Sequence, residues 1–275
     1  MKNLIFKVFL AIFVVGAFMG CGSNSQSSSE DGLAAIKEKG MITVGVFSDK
    51  PPFGFINAKG ENDGFDVFVA KELAKNLLGD ANKVKFELVE AASRVEFLKS
   101  GKVDLIMANF TKTPERAEIV DFATPYMKVA LGVVSKNGAI KDITDLKGGK
   151  LIVNKGTTAD FYFTKNHPDI ELIKFDQNTE AFLALKDGRG DALAHDNLLL
   201  FAWTKENPEF VVAISKLGNE DVIAPAVKKG NKALLEWVNT EIARFNENGF
   251  MKDAYIRTLA PIYGEDQLES VLFIK

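Results

Sequence analysis

The chain has 275 residues, 47% apolar and 26% charged, with a net charge of −3. This is the composition of an ordinary folded globule, and the weak negative charge, with no basic cluster interleaved with aromatics, excludes nucleic acid as a natural partner. One cysteine, Cys21, and two histidines, His167 and His195, exclude an internal disulfide and argue against a His/Cys metal centre.

In chain order, Lys2 and Lys7 give a short basic start, and residues 4–18 are almost wholly apolar. The run is too short for a membrane span and predicts a signal peptide over 1–20. Gly20-Cys21 resembles the lipoprotein cleavage box, although Phe18 and Met19 stand where that box usually carries Leu and a small residue. The resemblance implies acylation of Cys21 and anchoring to a membrane of the cell envelope. Residues 21–32 are rich in Ser, Gly, Asn and Gln and read as a flexible tether.

The body then alternates between strand and helix patterns. Residues 42–47 read as a buried strand, 48–55 as a Pro/Gly loop, 65–78 as an amphipathic helix, 84–89 as a strand, 94–99 as a short helix and 103–107 as a strand. That order predicts a parallel sheet with helices on its faces. A second series follows Tyr126. Its strands are expected at 130–135, 151–153, 172–175 and 192–194, and its helices at 143–146, 158–166, 179–186 and 197–205. One more strand at 223–227 and a long helix at 231–246 close the chain. Two α/β lobes make the cleft between them the natural ligand site.

Four segments carry chemistry. Asn109-Phe110-Thr111-Lys112-Thr113-Pro114-Glu115-Arg116 follows a strand at its C-terminal end, where open α/β sheets bind ligands. Thr113 fits an N-cap and Pro114 the first helical position, and Arg116 brings a planar fork suited to a carboxylate. Asn154-Lys155-Gly156-Thr157-Thr158-Ala159 offers a second helix start with free N–H groups and hydroxyls; it lacks the spacing of a phosphate-binding P-loop. Gly190-Asp191-Ala192-Leu193-Ala194-His195-Asp196-Asn197 places Asp196 between a strand and a helix, able either to balance an ammonium or to cap the helix. Phe47-Ser48-Asp49-Lys50-Pro51-Pro52-Phe53 is a stiff loop that offers an aromatic wall. For each segment, plain capping or loop packing accounts for the same residues.

Taken together, these segments resemble the polar amino-acid-binding proteins of ABC importers, the bacterial solute-binding proteins of family 3. The likeness covers nearly the whole chain and rests on an ordered set: V-G-V-F…P-P-F-G, G-F-D-V-F-V-A-K-E-L-A, G-K-V-D-L-I-M-A-N-F-T-K-T-P-E-R, D-F-A-T-P-Y, D-L-K-G-G-K, G-T-T-A and G-R-G-D-A. It implies a two-lobed Venus-flytrap fold of type II with two hinge strands, near 130–135 and 222–227. The first lobe would be 33–131 and 224–275, and the second 132–223. It implies that Arg116 binds a ligand α-carboxylate, helped by Thr111, Thr157 and the N–H of Thr158. Asp196 would bind the α-ammonium with the Asn109 carbonyl, Phe53 would pack on the ligand, and Lys50 and Arg94 would read its side chain. No cofactor or metal is implied.

Within the family, F-S-D-K-P-P-F-G, S-R-V-E-F-L-K-S-G-K-V-D, N-K-G-T-T-A-D and H-D-N-L-L-L-F-A-W resemble the cysteine-binding lipoproteins. The resemblance implies a monomer that binds a free amino acid, cysteine favoured, and delivers it to an importer permease while anchored to the membrane through Cys21. A prephenate-dehydratase-like enzyme, with Glu90, Asp49 or Glu115 as acid, and a surface receptor or adhesion lipoprotein are the rival readings on the same fold.

Overall fold

The computed structural model describes residues 32–273. The expected signal peptide, Cys21 and the tether lie outside them, save Gly32, which opens a helix, Gly32–Lys39, that the sequence patterns do not anticipate.

In the first lobe, Ile42–Val46 is buried at every position, as a strand covered on both faces must be. It pairs in parallel with Val84–Leu88 and with Leu105–Ile106. The helix Phe65–Leu78 stops where Gly79 takes the left-handed conformation that closes a helix without strain. Ala226–Lys228 then runs antiparallel between Leu105–Ile106 and Val120–Phe122, so the five-stranded sheet is mixed where the alternating pattern predicts a parallel one.

The second lobe repeats the plan. Lys150–Asn154 sits between Glu171–Phe175 and Ala192–Asp196, both parallel to it. Met127–Lys136 and Phe210–Ile223 add two antiparallel strands on one side. Phe210–Ile223 has no strand signature across Lys216–Asp221, because it is an edge strand paired on one side only, with three register shifts along it.

Two segments cross between the sheets, side by side. One runs from Val120–Phe122 through Ala123–Tyr126 into Met127–Lys136, and the other from Phe210–Ile223 through Ala224 and Pro225 into Ala226–Lys228. The crossings are tied to each other by Ala123 N–H to Pro225 O at 2.8 Å and Tyr126 N–H to Ile223 O at 3.0 Å. Residues 130–135, expected at the first hinge, lie inside the second sheet instead, and 127–131 pair there too. The strand expected over 223–227 is broken at 224–225, since Pro225 has no N–H to continue a ladder. The helices Lys232–Glu247 and Phe250–Thr258 return to the first lobe. Phe250 stacks on Phe68 at 5.5 Å, and Glu241 accepts from Asn76 at 2.8 Å.

Candidate functional site

The loops after the parallel strands of both sheets converge on one small, partly open cavity between the lobes. The first lobe lines it with Phe47, Lys50, Ala91, Arg94, Asn109, Thr111 and Arg116, and the second with Thr157, Thr158, His195 and Asp196. A larger, mostly apolar groove lies between the Pro51-Pro52 loop and Phe182 and Trp203. It lacks converging cations, so the smaller cavity is the candidate site.

Every residue to which the family resemblance gives a ligand-binding role lines this cavity except Phe53. Phe53 is fully buried in the first-lobe core, and the aromatic wall is Phe47. The loop turns back at Phe53, whose N–H bonds to Lys50 O and whose carbonyl accepts from Asp66. That turn leaves Phe47 and Lys50 facing the cleft.

Arg116 sits where its capped turn places it. Thr113 caps the helix Pro114–Ala117 by accepting from the Arg116 N–H at 3.3 Å. The guanidinium donates to Thr111 O at 2.7 Å and, across the cleft, to Gly156 O at 2.9 Å. Arg94 donates to Ala91 O, Ala108 O and Asn109 O at 3.0, 3.1 and 3.3 Å. Both guanidinia pack on the Phe110 ring, at 4.3 Å for Arg94 and 4.8 Å for Arg116. Neither has a carboxylate partner among the described residues, and their fixed carbonyl bonds aim them at the cavity. Burial lowers the Arg116 pKa to about 10, and burial together with the Arg116 charge pushes Arg94 well down.

Asp196 occupies the N-cap position of Asn197–Glu206 but makes no capping bond. Its carboxylate instead accepts from Lys50 Nζ at 2.8 Å, both side chains being almost fully buried. Burial works against the Asp196 charge, yet Lys50 and Arg94 beside it hold its pKa below the ordinary value. Burial also depresses Lys50, against the pull of Asp196. His195 Nδ1 accepts from the Asp196 N–H at 2.7 Å, so that nitrogen carries no proton. Burial and the Lys50 charge depress its pKa to about 3.

Thr157 spends its hydroxyl as an N-cap, accepting from Asp160 N–H at 3.2 Å and donating to Asn154 O at 2.7 Å. Thr158 opens the helix Thr158–Asn166, whose first N–H groups have no partner within the helix. Asn109 has a positive φ of 43°, bonds through its N–H to Asp66 at 2.8 Å, and leaves Oδ1 buried without a partner. Its backbone carbonyl, the expected ammonium acceptor, already takes a bond from Arg94.

Residues outside the predicted set hold the site together. Asp66 is fully buried and accepts from Tyr126 Oη at 2.5 Å. Burial raises its pKa to about 6, against the bonds from Tyr126 and Asn109. Asp49 reaches across the cleft and accepts from the N–H groups of Asn178 and Thr179 at 2.7 and 3.2 Å. It thereby caps the helix Asn178–Lys186, whose own N-cap residue, Gln177, makes no side-chain bond. Gly156 touches the first lobe so closely that a Cβ there would lie 2.6 Å from Ala92 Cα, at a φ of +72°.

A model of the bacterial extracellular solute-binding proteins, family 3, matches residues 42–258. The solved solute receptor for L-cysteine of Neisseria gonorrhoeae is 64% identical, with a TM-score of 0.86, over 87% of this chain and 98% of that one. The cysteine-binding protein from Campylobacter jejuni is 56% identical, with a TM-score of 0.87, over 88% and 99%. An ABC transporter glutamine-binding protein of Bacillus subtilis is 34% identical over 93% of this chain and 96% of its own length.

Two predictions arise from this geometry. Gly156→Ala should hold the lobes apart and weaken ligand binding at least tenfold, with a larger radius of gyration by solution scattering in the presence of ligand; an unchanged closed radius contradicts it. His195, depressed to about 3 from an unfolded value near 6.5, stabilises the fold above pH 6.5 and loses that contribution as pH falls toward 3. Asp66, raised to about 6, works in the opposite sense, its contribution being lost as pH rises from about 4 to 6. His195→Asn should therefore lose less stability than the parent protein between pH 6.5 and 3.5, measured by denaturant midpoint at each pH.

Proposed function

We propose that this chain, which belongs to the bacterial extracellular solute-binding proteins of family 3, closes its two lobes around one free amino acid, L-cysteine, and presents it to the permease of an ABC importer. The observation that carries the reading is the opposition of Arg116 on one lobe to Asp196 on the other across one small cavity. A bound zwitterion loses its water, so each charged end needs a charged or multiply hydrogen-bonded partner. Arg116, with Thr111 and the Thr158 N–H, takes the α-carboxylate. Asp196 takes the α-ammonium, and the unpartnered Asn109 Oδ1 is the second acceptor. Thr157 shapes the helix start that supplies the N–H groups.

Cysteine is favoured for two reasons. The solved relatives at 64% and 56% identity are a receptor for L-cysteine and a cysteine-binding protein, and Lys50 and Arg94 on the cavity wall repel a cationic side chain such as arginine. Binding rather than catalysis is favoured because none of the acids a dehydratase reading recruits lines the cavity. Glu90 and Glu115 are exposed, and Asp49 is committed to its helix cap. No helix among the described residues is long and apolar enough to cross a membrane. The protein acts outside the cytoplasm as a monomer, and anchoring rests on acylated Cys21.

The test is calorimetric titration of purified protein, unfolded and refolded to strip carried ligand, against the common amino acids under reducing conditions. One-to-one binding of cysteine at micromolar affinity or better corresponds to about 8 kcal/mol. Arg116→Ala should lose binding at least a hundredfold, and Asp196→Asn likewise, with circular dichroism reporting retained folding. Near-native affinity in either variant overturns the assignment, and tight binding of a different amino acid overturns the ligand.

A further inference from the structure

The cavity wall holds more positive than negative charge, and the ligand must meet that imbalance. Lys50, Arg94 and Arg116 are each at most 7% exposed. Against them stand two equally buried carboxylates, Asp196 and Asp66. His195 is neutral, because its Nδ1 accepts a hydrogen bond and its pKa is depressed. Tyr126 is a phenol whose hydroxyl is spent on Asp66. Glu115 is exposed, so water screens it; Asp221 is half-buried and its charge acts on Arg116 and Asp196, not on Lys50 or Arg94. The buried set therefore carries one net positive charge.

A zwitterion does not correct this. Its carboxylate satisfies one guanidinium, while its ammonium competes with Lys50 for Asp196, the one cavity carboxylate, and the surplus persists. A second negative charge on the ligand removes it. Within the reading that the ligand is cysteine, on which this step rests, we propose that the site binds cysteine as its thiolate, with Lys50 and Arg94 as the residues that select the charged sulfur. On binding, the S–H bond breaks heterolytically, the electron pair stays on sulfur, and the proton leaves to the buffer. No bond to protein forms.

Two further facts fit. Lys50 Nζ and Arg94 Cζ lie 5.3 and 5.5 Å from the same Phe47 ring, so both cations flank one corner of the cavity. The chain has no cysteine beyond Cys21, so the body presents no thiol of its own to a reactive ligand thiolate.

The experiment is titration of cysteine into the full chain carrying Cys21→Ser, at pH 7.5, in buffers of differing ionisation enthalpy. At that pH Asp66 is already ionised and contributes no proton change. About one proton should be released per cysteine bound. The ultraviolet absorption of thiolate should rise in step with occupancy. Cysteine affinity should climb about tenfold per pH unit from pH 6 to 8, because the free thiol titrates near 8.5, while serine binds at least tenfold more weakly with no such slope. Lys50→Met should abolish the proton release.

Tight binding with no proton released overturns the proposal. So does proton release without thiolate absorption, which would place the lost proton on Lys50. Binding of aspartate or glutamate more tightly than cysteine assigns the second negative charge to a carboxylate and also overturns it. Failure of every amino acid to bind instead removes the parent reading.

Discussion

The ion pair between Lys50 and Asp196 is the constraint around which the cleft is organised. It joins the two lobes through side chains that see almost no solvent. Taking two such charges out of water costs several kcal/mol each, and their attraction repays this only with excellent geometry. The pair is therefore a poor source of stability. Three buried cations gathered within one small space make the point more strongly, since like charges add repulsion to desolvation. A fold selected for stability alone would place apolar side chains there. The charges make sense as one half of an interaction whose other half arrives with the ligand.

Closure has a second anchor one residue away. Asp49 caps a second-lobe helix that has no cap of its own, and Lys50 reaches Asp196 from the next position. The two side chains leave a short strand in opposite directions, as successive residues of an extended segment must. One loop of the first lobe thus grips the second lobe twice. The cap is electrostatically favourable because a carboxylate meets the positive end of a helix. It exists only while the lobes are closed, so it biases the closed state whether or not a ligand is present. Under the proposed function, a ligand that bonds to both lobes at once would shift the remaining balance. The paired crossings at 123–126 and 224–225 are short and tied to each other by hydrogen bonds, the arrangement that a hinge between the lobes requires.

Much of this was legible in the sequence, and the gaps have physical causes. Buried strands and capped helices announce themselves through local patterns, which is why Ile42–Val46, Phe65–Leu78 and the Thr113-Pro114 turn lie where expected. Phe210–Ile223 was invisible because an edge strand with polar residues on its open face lacks the alternation that betrays a strand. The place of the hinge was misread for a related reason: local pattern reports that a strand exists, not which sheet it joins. Phe53 lies in the core rather than on the cavity wall, a difference the sequence does not mark because cleft-facing and core-facing aromatics look alike in a stiff loop. Asp66 lies inside the G-F-D-V-F-V-A-K-E-L-A segment. Nothing local marks a helix-start Asp as fully buried, since its partners, Tyr126 and the Asn109 N–H, come from distant segments.

Asp196 shows how function is distinguished from capping once the fold is known. An Asp at a helix N-cap normally bonds to the first-turn N–H groups, and losing such a cap costs about 1 kcal/mol. The helix Asn197–Glu206 forgoes that bond, although the right residue stands in the right position. The carboxylate turns instead toward Lys50 and the cavity, in a place where burial works against its charge. Thr157, by contrast, keeps its capping bond to the Asp160 N–H. The same ambiguity in sequence resolves oppositely at the two helix starts. A side chain that abandons a favourable local bond for a costly buried charge is held there by something other than folding, and the proposed ligand ammonium would supply the reason.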